Sequence, residues 1–305
     1  MSKIIVAVDE SQGSHDAIAL ASTLAGITGS TLTFVNVFPY DPTPSRSVNR
    51  EFEDYLRQDS RELLERVRDA HGDATVELKT IANPSASHGL HELAEQEQAD
   101  LIVVGSTHTG RAGRVLPGST AERLLHGAPC PVAVAANGYA QRSAEQPAVI
   151  GCGYDGSSSS RRALEEAGRL AAATGARLRA IRVFEPLLYD LPPGNAAFGG
   201  MASYNDSLHV RAGEELEAAV AEIGSDGSES QLEVGNAAKV LVDASGDLDL
   251  LLLGSRGYGP LRAVLVGGVS GQVVREAACP VIVFPRSAGD SEDDSLFAKA
   301  AALHG

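Results

Sequence analysis

The spacing of apolar residues along the first 136 positions switches repeatedly between two periods. "KIIVAV" (3–8), "TLTFVNV" (31–37), "TVELKTI" (75–81), "DLIVVG" (100–105) and "PVAVAA" (131–136) are short apolar or alternating runs that read as strands. Between them lie stretches with helical spacing. One runs from Ser14 to about Ile27, with Gly29 just beyond its end. In a second, Phe52, Leu56, Leu63 and Val67 share a face; a third covers Ser85–Gln98, and a fourth opens at Ser119 and runs to about Leu125. "DLIVVG" is almost continuously apolar, as expected of a strand covered on both faces. Strands that alternate with helices predict an α/β fold of mostly parallel strands with helices on both faces.

The pattern then repeats. "DLIVVGSTHTGRAGRVLPGS" at 100–119 returns as "DLLLLGSRGYGPLRAVLVGG" at 249–268, and "APCPVAVAA" at 128–136 returns as "AACPVIVFP" at 277–285. Gly105 matches Gly254, Gly118 matches Gly267 and Cys130 matches Cys279, each at an offset of 149. Asp9 pairs with Asp155 and Val37 with Val183 at an offset of 146. A copy of about 150 residues is a whole domain rather than a unit of a solenoid. The division expected is a first domain over 1–138, a linker over 139–147, a second domain over 148–287 and a loose acidic tail over 288–305. Residues 186–204, "PLLYDLPPGNAAFGGMASY", form a Gly/Pro-rich excursion particular to the second copy, with Leu187, Leu188, Phe198 and Met201 placed to cap a site or to fold onto their own domain.

One stretch suggests a cofactor. "VIGCGYDG" (149–156) has the Gly151-x-Gly153-x-x-Gly156 spacing of a dinucleotide-binding turn, and an acid, Glu185, sits further on. The first copy has Ile5, Ala7 and Glu10 at the matching places, and a phosphate-cradling turn needs glycine there. Gly151 and Gly153 are therefore expected inside a strand, with Asp155 at its end.

The chemistry concentrates after the fourth strand of each copy. Copy two reads Gly254-Ser-Arg-Gly257, nine residues, then Gly267-Gly268-Val269-Ser270; copy one reads Gly105-Ser-Thr-His108, nine residues, then Gly118-Ser119-Thr120. Glycines at a strand end and a helix start leave amides that can face an anion. The lysine of a Walker segment is absent. Ser119-x-x-Glu122 has the spacing of a capping box, and Asp9 and Asp155 could cap the helices that follow them.

Charge narrows the ligand. The net charge of −15 disfavours nucleic acid and anionic membrane as partners. Yet residues 105–126 carry Arg111, Arg114 and Arg123 against Glu122, and 254–275 carry Arg256, Arg262 and Arg275 with no acid. Locally basic segments in an acidic chain suit a small anion. No apolar run approaches the ~18 residues of a bilayer span, and three scattered cysteines (Cys130, Cys152, Cys279) fit buried packing in a reducing, cytoplasmic setting.

With these motifs in place, both halves resemble the universal stress protein family, over nearly the whole chain and in two tandem copies. The resemblance implies two open-sheet domains of the adenine nucleotide alpha hydrolase-like type. It also implies an ATP site in each, commonly with Mg2+ or Mn2+ carried on the triphosphate. For the first site it implies Asp9, Val37, Gly105, Ser106, His108, Gly118, Ser119 and Thr120. For the second it implies Asp155, Val183, Gly254, Arg256, Gly257, Gly267, Gly268, Val269 and Ser270. Two positions depart from the family's G-x2-G-x9-G-[S/T]: His108 replaces the second glycine, and Gly268 replaces the Ser/Thr. No catalytic residue and no protein-built metal site is expected. The expected role is nucleotide-responsive binding in a stress response, with a slow or self-phosphorylating ATPase and a dimerisation module without nucleotide as alternatives. The last strands, at apolar sheet edges, are expected to pair antiparallel within the chain as a pseudo-dimer or between chains as a homodimer.

Overall fold

The computed structural model describes residues 2–41, 50–107, 114–142, 146–186, 196–224, 227–255 and 268–285. The first half runs β1 (Lys3–Ala7), α1 (Gln12–Thr28), β2 (Thr31–Phe38), α2 (Arg50–His71), β3 (Glu77–Ala82), α3 (Ala86–Glu97), β4 (Leu101–Val104), α4 (Ser119–Leu125) and β5 (Val132–Val134). After a 3-10 turn at Tyr139–Gln141, the second half repeats it: β6 (Val149–Gly153), α5 (Ser158–Thr174), β7 (Arg177–Phe184), α6 (Ala196–Ile223), β8 (Glu229–Val234), α7 (Ala237–Ala244), β9 (Leu250–Gly254), α8 (Val269–Glu276) and β10 (Val281–Phe284). Among the described residues the ten strands form one sheet in the order β3-β2-β1-β4-β5-β10-β9-β6-β7-β8.

Within each half neighbouring strands are parallel; the seam is not. β10 pairs β5 antiparallel, with Val281 opposite Val134, Ile282 opposite Ala133 and Val283 opposite Val132. The expected pairing of last strands is thus met inside the chain. Each of those strands already has a neighbour on both sides, so neither offers an edge to a second chain. The outer edges are β3 and β8, which carry Glu77, Lys79, Glu229 and Glu233, charges that discourage edge-to-edge association.

Alternation along the strands feeds two apolar layers. Ile4, Val6 and Phe34 pack with α1, α2 and α5 on one face; Ile5, Val35 and Ile102 pack with α3, α4 and α7 on the other. α1 and α5 stop at Gly29 and Gly175, whose positive φ values of 65° and 72° turn the chain and direct an amide back to Ala25 and Ala171. On α2 the buried stripe passes through Ser60 and Leu64, while Phe52, expected on it, is half exposed. The excursion expected over 186–204 is helical from Ala196 onward. Gly199 and Gly200 each cost about 1 kcal/mol of helix propensity, but extending an existing helix gains a hydrogen bond per residue. Leu187, Leu188 and the tail lie outside the described residues, as do the side chains of Phe198 and Met201.

Candidate functional site

In each half the sheet order reverses between its first and fourth strands, and crevices at such switch points, beyond the carboxyl ends, are where α/β sheets take ligands. β1 runs parallel to β4, with Val6 beside Val103, so Asp9 and Gly105 emerge at the same end. Ser11 caps α1, not Asp9. Asp9 works two residues earlier: its Oδ1 accepts the Ser11 amide at 2.9 Å and the Ser14 hydroxyl at 2.6 Å. Asp155 holds the Ser157 amide at 2.9 Å in the same way ahead of α5. Both carboxylates fix the strand-to-helix turn and remain exposed.

Gly105 sits against α1. A Cβ placed there would lie 2.1 Å from the Gly13 carbonyl oxygen, so backbone packing alone demands glycine. Gly254 has the same constraint, 2.5 Å from the Ser160 nitrogen. Sequence reasoning assigned these glycines to a ligand; their fixed structural task is to let α1 and α5 approach.

Beyond Gly105 the chain folds back on itself. Ser106 bridges Pro117, and Thr107 donates its amide to the Leu116 carbonyl at 2.7 Å. The buried Ser106 hydroxyl donates to Ala135 O at 2.6 Å and accepts the Leu116 amide at 3.1 Å. Ser106, expected to face the ligand, is thus spent on closing the loop, because a buried hydroxyl needs partners. Gly118 returns within reach of Thr107 and is the N-cap of α4. Ser119 is therefore the first helical residue, exposed, and the Ser119–Glu122 capping box does not form; the Glu122 amide bonds to the Gly118 carbonyl instead.

In the second half the helix cap is Gly268, again without a side-chain hydrogen bond. The cap sits 150 residues after Gly118 rather than at the offset of 149 that aligned Gly267, so the glycine replacing the family's Ser/Thr is itself the helix start. Val269 is 41% exposed, with Ser270 partly buried behind it. Val37 and Val183 lie near the ends of β2 and β7, partly buried against the layer that holds α3 and α7. His108, Arg111, Arg256, Gly257, Arg262 and Gly267 lie outside the described residues.

The dinucleotide-like spacing has a packing explanation. Gly151 and Gly153 lie in β6, and Cβ atoms there would come within 2.3 Å of Leu248 Cδ1 and 2.6 Å of Leu253 Cδ2. Gly156 turns the chain at φ 82°, and Glu185 accepts the Ala237 amide at 2.8 Å, at the start of α7. Neither glycine in β6 is available to a phosphate.

Several contacts escaped sequence reasoning. Arg114 donates from Nη1 to the Glu276 carbonyl at 2.7 Å, across the seam. Asn36 donates to Val8 O at 2.7 Å and accepts the Ser60 hydroxyl, tying α2 to the first site. At the matching place in the second half Arg182 lies over the Tyr154 ring, 5.9 Å from its centre, and pairs with Glu215 at 2.8 Å. These pairings span tens of residues or more, and local spacing carries no trace of them. A groove of about 410 Å³ between α5 and α6 shares no residue with either glycine segment, and its Arg161 and Arg169 are paired with Glu222 and Glu166.

The three cysteines are buried thiols. Burial pushes Cys130 and Cys279 up to about 12, and Cys152 further up for the same reason. Among the described residues no cluster of three or more His, Cys, Asp or Glu could hold a metal, and no helix is long and apolar enough to cross a membrane.

Comparison with known proteins places these features. The family model "Universal stress protein family" matches residues 1–136 and again 148–285. Universal stress protein Rv2319c of Mycobacterium tuberculosis is 31% identical over 278 residues, covering 88% of this chain and 94% of that protein. The solved structure of a universal stress protein from Archaeoglobus fulgidus is 19% identical, covers 94% of this chain and 97% of its own, and superposes with a TM-score of 0.65. A universal stress protein solved in complex with cAMP resembles 46% of this chain at 24% identity and a TM-score of 0.33, covering 98% of its own length. Two matched halves, a shared sheet order and paired glycine segments agree: the chain is a tandem-repeat member of the universal stress protein family.

Proposed function

We propose that each half binds an adenine nucleotide, ATP as its complex with Mg2+ or Mn2+, and that the protein is a nucleotide-responsive binding protein of the stress response rather than a dedicated hydrolase. The observation that carries the reading is the meeting of three features at the carboxyl ends in both halves. These are an exposed Asp beyond the first strand, a glycine at the end of the fourth, and a helix start at Gly118 or Gly268 with no side-chain cap. Uncapped amides at a helix start are donors in search of an acceptor, which a phosphate supplies. Asp9 and Asp155 give one carboxylate per crevice; Mg2+ arriving on a triphosphate keeps most of its waters and needs no more than that. Val37 and Val183 would meet the nucleoside.

Mass spectrometry of the natively purified chain, followed by calorimetric titration with Mg-ATP, tests the reading. Up to two bound adenine nucleotides are expected, and Asp155→Ala should abolish one of them. An empty protein that gives no heat with ATP, ADP or AMP returns the chain to a dimerisation module. Steady phosphate release that follows the protein through purification would instead make it a slow ATPase.

A further inference from the structure

We infer that Arg114 is a positioning residue that couples the two candidate nucleotide sites through α8, an inference that rests on the nucleotide reading above. The geometry follows from the seam. Because β10 runs antiparallel to β5, the carboxyl ends of the second half's strands lie at the opposite end of the sheet from those of the first. α8 leads into β10, so it starts at the second crevice and finishes near the first. Its start is the uncapped Gly268, and its end is held by the first site's own loop. Arg114 Nη1 donates to Glu276 O at 2.7 Å, and the amide of the buried Val115 donates to Ala277 O at 2.7 Å. Arg275 of α8 reaches Glu122 of α4 at 3.5 Å. The loop that delivers these groups is the one closed by Ser106, Thr107 and Leu116.

α8 has eight residues, about 12 Å of helix, with Val273 and Val274 buried. A packed rod this short has little room to absorb a displacement along its length, since cores transmit strain rather than dissipate it. An anion drawn to the Gly268–Ser270 amides therefore shifts or stiffens the carbonyls that Arg114 and Val115 hold. A cation at a helix C-terminus is favourable in itself, which keeps the contact closed. At the offset of 149 the residues matching Arg114 and Glu122 are Ala263 and Gly271, neither of them charged.

Hydrogen exchange of the full chain tests this, with Asp9→Ala removing nucleotide from the first site so that any response there arrives from the second. Mg-ATP is the probe, and the amides of β1 report the fold. In Asp9→Ala, ATP is expected to slow exchange at residues 269–272 and also at Val115, the latter by about fivefold or more. Adding Arg114→Ala should reduce the Val115 response to less than about twofold while leaving that at 269–272. Arg114→Lys, which keeps a cation and a donor, should retain it. Protection at 269–272 with Val115 unchanged overturns the coupling and leaves nucleotide binding standing, as does a Val115 response that survives Arg114→Ala. No protection at either place removes the second nucleotide site and the coupling with it.

Discussion

Gly13 and Gly105 face each other backbone to backbone: a Cβ on Gly13 would lie 2.3 Å from the Ser106 carbonyl oxygen, and one on Gly105 would lie 2.1 Å from Gly13's own. Neither atom belongs to a movable side chain, so α1 must lift if either residue gains a methyl. Gly105→Ala is expected to destabilise the fold by about 1–3 kcal/mol, as overpacked cores do. Gly26→Ala, at an exposed helical position with nothing within 4 Å, should stabilise by about 0.5–1 kcal/mol. Urea unfolding of the two variants checks both signs. A loss of ligand binding in Gly105→Ala then reports the displaced helix as much as a missing contact.

The second copy offers a matching test. Gly151 leaves room for Leu248, whose Cδ1 would stand 2.3 Å from an added Cβ. Gly151→Ala should cost about 1–3 kcal/mol, and Leu248→Ala about 2–5 kcal/mol. Together they should cost less than the sum, by about 0.5–3 kcal/mol, because the new methyl occupies the space the leucine vacates. Additive losses in denaturant unfolding would show that glycine is wanted there for another reason.

Asp16 is fully buried on α1, and its two oxygens accept the amides of Gly138 and Ala140 at 2.9 and 2.8 Å. It pins the start of the linker to the first domain. Asp16→Ala strands two amides and should cost about 3 kcal/mol. Limited proteolysis should then cut between residues 138 and 147 faster than in the parent chain.

The cysteines set an alkaline limit. Burial raises Cys130 and Cys279 from 9.0 to about 12 and moves Cys152 in the same direction. The folded state therefore holds its thiol protons after the unfolded chain has released them. Stability is unaffected below about pH 8 and falls as pH rises through 9 toward 12, by up to about 1.4 kcal/mol per pH unit for each thiol. Unfolding free energies measured from pH 7 to 11 should show the decline, and Cys130→Ser should flatten it. At pH 8 a thiol reagent should label none of the three until denaturant is added.

Alternating periods and the internal match were enough to place both halves, the strand identity of Gly151 and Gly153 and the antiparallel meeting of the last strands. Those features depend on local spacing and on edges that must be covered. What the sequence leaves hidden is chiefly the partner that a group finds far along the chain. Of the two roles open to Ser119, ligand contact and the capping box with Glu122, the box fails for a local reason, since the helix begins one residue earlier, at Gly118. Ser106 is expected at the ligand because it sits in the glycine segment, and its hydroxyl donates to the Ala135 carbonyl, 29 residues away. Arg114 stands out in the sequence only as part of a locally basic segment, and its guanidinium is turned to a carbonyl 162 residues distant. Short-range patterns say where a residue lies and not which distant chain folds over it.

The seam between β5 and β10 aligns three facing pairs, and two separate chains would hold such a contact only as far as their concentration allowed. Joined by a short connector, the same surfaces meet at an effective concentration on the order of millimolar whatever the number of molecules in the cell. The arrangement of the two halves is thereby freed from protein abundance, so a change in expression alters how many copies exist without altering how each one is assembled.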